Sequence, residues 1–346
     1  MPVADVAHDG WAASLRRGWR WLPVAAVGLV AACNLSARAM AWRLPTSGPL
    51  WQGVVPLGAL PLAVPDSSGL VASLRTEGVY WTHNDSGHEP AVYAIDETGG
   101  LLQTVAMPGV PDRDWEALGA GPCPAGQCLY VGDVGDNLGQ RDLIHLLRLA
   151  EPAVARGAAS APARIVAPFV EVLAIRLPDR PRDVEALYVA PDTSVWLITK
   201  RPDWFTLRGS PARMYRVPAA AWQSARRIGA SRESDRPDGP PAAVITAEPA
   251  GRLPVTPGRY STREWITDAS LSPPVADGSR LLAVLTYGTL YVFEADRATG
   301  RPGKRVGRCR LPIPEHDPEA VTWRPDGRLL LTNEGAGSTI YAGRCP

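Results

Sequence analysis

The chain has 346 residues, 45% hydrophobic and 21% charged, which suits an ordinary globular protein of one large or two smaller domains. A formal net charge of +1 and the lack of any basic stretch interleaved with aromatics exclude a general nucleic-acid or anionic-membrane binder. Glycine (33) and proline (35) together make up about a fifth of the chain, favouring short strands joined by turns over long helices.

In chain order, the first element is a positive segment, "RRGWR" (16–20), followed by the apolar "WLPVAAVGLVAAC" (21–33). That run is short for a membrane span and matches the apolar core of a signal peptide. "VAAC" resembles a lipoprotein box in which Cys33 would be lipidated, whereas "AMA" (39–41) offers an ordinary cleavage site. Residues 1–41 are therefore expected to be a signal peptide or lipoprotein signal with a short linker. Residues 50–346 should form the folded domain. The protein should then be exported, periplasmic or extracellular, touching a membrane only through a lipid anchor at Cys33. Setting Cys33 aside leaves four cysteines, an even number suited to an oxidising compartment. Cys123 and Cys128 bracket a turn in "CPAGQC", and Cys309 and Cys345 then pair by elimination.

Beyond residue 50 one phrase recurs: "DWEALG" (114–119), "DVEALY" (183–188) and "DPEAVT" (317–322). Aligned on the third residue, these give Glu116, Glu185 and Glu319. Two degenerate copies, "DSSGLVAS" and "ITDASLSP", add Ser68 and Asp268. The steps between the anchors are 48, 69, 83 and 51 residues (68→116→185→268→319); the two near 50 match one propeller blade, and the longer two imply insertions. After each anchor comes a second strand ("VYWTHND", "LYVGD", "VWLITK", "LLAVLTY", "LLLTNE") and a third ("AVYAID", "IHLLRL", "RMYRV", "TLYVFEA", "TIYAG"). Fourth strands fit "LLQTVAMP", "VEVLAIRL", "AAVITAE" and "RVGRCRLP". The fifth unit lacks one, and "VVPLGALPLAV" (54–64) can supply it, closing the ring. The fold expected is all-β: a β-propeller of five blades closed by an N-terminal strand. A six-bladed count stays open if an atypical blade occupies 201–266. The polar stretch 224–242 reads as a surface insertion.

In a propeller, the start of each innermost strand and the loop between second and third strands share one face of the disc. That geometry gathers Asp114, Glu116, Asp133, Asp136, Asp183, Glu185, Asp268, Asp317, Glu319 and Glu334. So many carboxylates must be relieved by raised pKa values, fixed hydrogen bonds or a cation. Oxygen-only ligands around a roomy channel suit Ca²⁺, and Asp114, Glu116, Asp133, Asp183, Glu185, Asp268, Glu319 and Glu334 are the candidate ligands. The competing reading makes each D-x-E an inter-blade strut that accepts backbone amides. "WTHNDSGHEP" (81–90) is the least repetitive loop, and His83 and Asp85 there are candidates for proton transfer. Alternatively it is an Asx-turn loop with solvated histidines. Lys200 and Arg201, in the third unit, could meet an anion.

The motifs "WTHNDSG" (81–87), "DWEALG", "GDVGDN" (132–137) with "LAEP" (149–152), "DVEALY" and "TNEG" (332–335) together resemble a family of uncharacterised exported bacterial β-propellers. The match spans about residues 65–340. More distantly the chain is similar to calcium-dependent propellers of the phytase-like and lactonase-like kind. One departure is "VLTYG", where relatives tend to carry arginine before Thr-Tyr. The resemblance implies export and a propeller fold, while the Ca²⁺-binding acidic face rests on the converging carboxylates. Two functions follow: a metal-dependent hydrolase of phosphoesters or lactones, or a non-catalytic envelope module. The partner would be a small-molecule ligand or an envelope component, not nucleic acid, and a monomer is the expected state.

Overall fold

The computed structural model describes residues 49–154, 161–200, 211–229, 243–255, 263–275, 277–312 and 318–346. Residues 1–41 with Cys33, for which a signal segment is expected, as well as Arg201, Asp317 and the expected insertion beyond Gly229, lie outside them. Five sheets, antiparallel along the successive strands of each blade, form the five blades of a β-propeller. Each starts with an innermost strand: Ser67–Ala72, Trp115–Cys123, Val184–Val189, Ile266–Leu271 and Pro318–Trp323. Each of these five contacts the next around the ring, and the last contacts the first. The channel they enclose is the axis of the propeller.

Apolar side chains on both faces of each blade build the core. Trp81, Trp115, Tyr130, Leu147 and Phe293 are among the buried residues, and they belong to clusters that lie between neighbouring blades. The inner and second strands therefore read as near-continuous apolar runs, as sheets covered on both faces require. Ring closure follows the expected plan. Gln52–Ala59 pairs antiparallel with Thr339–Arg344 as the outer strand of the fifth blade, which leaves no free edge at the seam. Just before it, the Trp51 amide donates to the carbonyl of Arg310 on the fourth blade (2.9 Å). The N-terminal segment thus spans two blades.

One expected strand is displaced. Ile245–Thr246, within "AAVITAE", runs parallel to the fourth strand of the second blade, Phe169–Arg176. The third blade takes Glu248–Arg252 instead. The reason is length: the chain between the third blade's third strand and that outer strand is long enough to cross to a neighbour's edge first. Ala163–Val166 covers the first blade's edge in the same way, parallel to Leu101–Ala106. Among the described residues the only helical element is the 3₁₀ turn Ala219–Ser224.

Both expected disulfides are present. Cys123–Cys128 closes the hairpin between inner and second strands of the second blade (Cα–Cα 5.8 Å). Cys309–Cys345 ties the fourth blade's outer strand to the end of the fifth blade (5.5 Å). Such bonds persist in oxidising, non-cytoplasmic compartments. No helix among the described residues is long and apolar enough to cross a membrane.

Candidate functional site

Every inner strand carries a β-bulge at its start. The register against the second strand breaks between Ser67 and Gly69, Trp115 and Ala117, Val184 and Ala186, Ile266 and Asp268, and Pro318 and Ala320. The extra, unpaired residue is therefore Ser68, Glu116, Glu185, Thr267 or Glu319. A bulged residue escapes the pleat and can be re-aimed. This corrects the repeat alignment in the fourth unit, where Thr267 is the equivalent of Glu116. Asp268 occupies the place held elsewhere by Gly69, Ala117, Ala186 and Ala320.

A second ring follows from the same register. The residue just after each second strand's last pairing is Asp85, Val134, Lys200, Tyr287 or Glu334. In four of the five blades its amide returns to the segment before the inner strand: Asp85 to Asp66, Val134 to Asp114, Lys200 to Asp183 and Tyr287 to Trp265. Tyr287 is not among the candidates read from the sequence, although it stands in "VLTYG", one residue past a strand.

Three carboxylates converge. One oxygen each of Asp85, Asp114 and Glu116 lie within 4.8 Å of one another. Glu116 is buried and the two aspartates are partly exposed, so the cluster opens toward solvent on one side. Ser68 Oγ donates to Glu116 Oε2 at 2.9 Å, and Asp85 accepts from the Ser86 amide. Burial first, then the negative charges of Asp85 and Asp183, raise Asp114 to about 6. Burial, then Glu185 and Asp85, push Glu116 well above the usual carboxylate range. Gly135, in "GDVGDN", packs over this pair: a Cβ there would lie 2.5 Å from Asp114 Oδ2 and 2.8 Å from Glu116 Cγ. Only a residue without a side chain fits against the two carboxylates as they stand.

Beside the triad sits a buried ion pair. Lys200 Nζ lies 2.9 Å from Glu185 Oε1 and 5.7 Å from the centre of the Tyr287 ring. Burial alone would lower the lysine, but Glu185, with Tyr287, Asp183 and Glu116, holds it above its ordinary value. Lys200 therefore serves here as an internal counter-charge and is only 6% exposed. The other oxygen of Glu185, Oε2, has no hydrogen-bond partner among the described residues although it is buried. Asp183 Oδ1 accepts the Asp136 amide at 2.9 Å, joining the second and third blades.

The remaining candidates have other surroundings. Asp133 accepts from the Arg113 and Asp114 amides, from Arg141 Nη2 (2.7 Å) and from His145 Nδ1 (3.1 Å). Burial would raise it, yet His145 and Arg141 hold it below the usual range. It fixes the loop that presents Asp114. Asp268 Oδ2 accepts the Val321 amide of the fifth blade (2.8 Å) and Oδ1 its own neighbour Ala269 (2.7 Å). Burial pushes its carboxyl well up against these donors. Glu319 is buried at the fifth bulge, and Glu334 bridges to Asp66 through its backbone. His83 is fully buried between the first two blades, edge-on to Trp115 with ring centres 5.8 Å apart, and Nδ1 meets the Asn84 carbonyl at 2.9 Å. Burial lowers its pKa, keeping the ring neutral. Its Nε2 lies 2.6 Å from where a Cβ of Gly69 would be.

No protein-family model matches the sequence, and no curated protein matches it. Solved structures with a similar course of chain include a glucose dehydrogenase (13% identity, 85% of this chain and 99% of that one, TM-score 0.42). Another is the glutaminyl cyclase of Myxococcus xanthus (12%, 86% and 98%, TM-score 0.43). A third is a gluconolactonase of Xanthomonas campestris (12%, 88% and 99%, TM-score 0.37). Likenesses at these scores assign neither an activity nor a ligand.

Proposed function

We propose that the chain is an exported propeller whose channel mouth holds a divalent cation, Ca²⁺ first, on Asp85, Asp114 and Glu116. The reaction proposed there is hydrolysis of a phosphoester or lactone. The observation that carries this reading is the convergence of three carboxylates from two blades within 4.8 Å. The donor set fits the ion. It is all oxygen, and three carboxylates supply fewer ligands than the roughly six to eight that Ca²⁺ takes, leaving positions for water and substrate. Histidine and cysteine, which zinc would want, are absent from the triad. A bound divalent cation would supply Lewis acidity toward a substrate oxygen and charge compensation for the cluster.

The chain's own residues have distinct parts. Ser68 orients Glu116 through its hydroxyl. Gly135 lets the loop after the second blade's second strand lie against both carboxylates. Lys200, paired with Glu185, limits the negative charge behind the triad, so Asp85 and Asp114 can face solvent and a ligand. Of the residues first considered for proton transfer, only Asp85 reaches this mouth. His83 and Lys200 are buried and engaged, which favours the second reading: a non-catalytic envelope module that binds a small ligand or an envelope component through the cation. Export, a monomeric state and a lipid anchor at Cys33 belong to both readings.

Calcium titration by calorimetry, repeated with Mg²⁺ and with Glu116→Gln, tests the cation. Saturable Ca²⁺ binding lost in the variant is the expected result, and no heat in the wild-type protein would sink it. A panel of aryl phosphoesters and lactones on the calcium-loaded protein then separates hydrolase from binding module.

A further inference from the structure

The opposite end of the channel has a different chemistry. Below the bulges the inner strands enclose a cavity of about 390 Å³, lined by their later residues, among them Val71, Ala120, Val189 and Leu271, with Trp323. At about 3.3 Å per residue its deeper wall lies some 13 Å along the strands from Glu116 and Glu185. The lining is mostly apolar, and among the described residues Arg280 is the single charged one in it. Arg280 opens the fourth blade's second strand and reaches over the end of the inner strand, donating from Nη1 to the Ser272 carbonyl at 2.7 Å. No carboxylate among the described residues pairs with it, and burial alone depresses its pKa. A half-buried guanidinium without a counter-ion, facing an apolar cavity of ligand size, is complementary to one kind of molecule.

We propose that this end of the channel binds an apolar-tailed monocarboxylate, its carboxylate on Arg280 and its hydrocarbon between the inner strands. Carboxylate and guanidinium match in geometry as well as charge, because the planar fork offers two parallel donors. The apolar walls reward the tail in proportion to the area it hides from water. The site is independent of the cation at the other mouth, so a protein that binds no calcium would still bind the acid.

The test is calorimetric titration of the full chain with octanoate, and with octanol as the uncharged control. Octanoate should bind at one saturable site and raise the melting temperature, with octanol weaker by about tenfold or more, the scale of a lost charge-assisted hydrogen bond. Arg280→Met should abolish the preference for octanoate over octanol while the protein still melts cooperatively. Val71→Trp, which fills the cavity from a partly exposed position, should remove binding of both. Absence of saturable octanoate binding would overturn the proposal. So would equal binding of acid and alcohol, or an unchanged preference in a folded Arg280→Met. Should Arg280→Met fail to fold, Val71→Trp decides: octanoate bound as well as by wild type would sink the cavity as the site.

Discussion

Replacing Gly135 by alanine tests the carboxylate triad without removing any charge. The backbone at Gly135 is not in the left-handed region, so alanine meets no conformational penalty there. Its Cβ would lie 2.5 Å from Asp114 Oδ2 and 2.8 Å from Glu116 Cγ. Restoring ordinary contact near 3.4 Å moves the Asp114 carboxylate by about 0.9 Å. That displacement is several times the ~0.2 Å tolerance of a metal–ligand distance. The fold should notice little. Pushing a side chain off its rotamer costs about 0.5–1.5 kcal/mol, and the loss of glycine's freedom in the unfolded chain returns about 0.4–1 kcal/mol. Calcium affinity should instead fall about ten- to a hundredfold, the range seen when groups orienting metal ligands are disturbed. At calcium a hundredfold above its dissociation constant, the wild-type protein gains about 2.7 kcal/mol. A tenfold weaker variant forgoes about 1.4 kcal/mol of that. Melting curves with calcium and with chelator read the difference directly. If Gly135→Ala keeps both the wild-type affinity and the full calcium-induced shift, the triad is not the binding site.

Two other outcomes follow from the same structure. Deleting residues 49–59 removes Trp51 and the outer strand of the fifth blade, and should give aggregation or a large loss of melting temperature, whereas deleting residues 1–41 should leave melting unchanged; equal melting of the two would refute closure by that strand. Burial would raise Asp179, but Arg182 and Tyr215 hold it at about 2, so its contribution to stability is complete above its unfolded value near 3.8 and is lost as pH falls through about 2; Asp179→Asn should flatten acid unfolding in that window, and an unaltered acid limb would refute the assignment.

The blade count and the closing strand were legible because apolar runs, turn residues and the D-x-E phrase repeat with the fold itself. The assembly of the site was legible in part. Placing strand starts and second-to-third loops on one face brings Asp85, Asp114 and Glu116 together, as topology demands. Which carboxylates stay open was not legible, because it depends on partners distant in sequence: Arg141 and His145 engage Asp133, and Lys200 engages Glu185. His83 shows the same limit. Its motif reads as a polar loop, yet it is the last residue but one of a strand, and alternation turns it into the seam between blades.

Asp268 carries the sharpest lesson, because a single bulge decides its role. The degenerate phrase "ITDASLSP" aligns it with Glu116, but the fourth bulge falls at Thr267, one residue earlier. The slip turns Asp268 away from the bulged position, and its two oxygens take the Val321 amide of the next blade and the amide of its own neighbour Ala269. Thr267 stands in the ring instead, its hydroxyl donating to the Pro318 carbonyl at 2.9 Å. The fourth blade therefore adds no carboxylate at its bulge, and the acidic cluster is one-sided. Asp268→Asn separates strut from ligand. One amide loses its acceptor and faces an NH₂ group in a buried place, which costs about 1–3 kcal/mol. Melting temperature should drop by several degrees while calcium affinity, measured by calorimetry, stays within about twofold. The reverse pattern, unchanged melting with calcium binding lost, would make Asp268 a ligand and restore the symmetric ring.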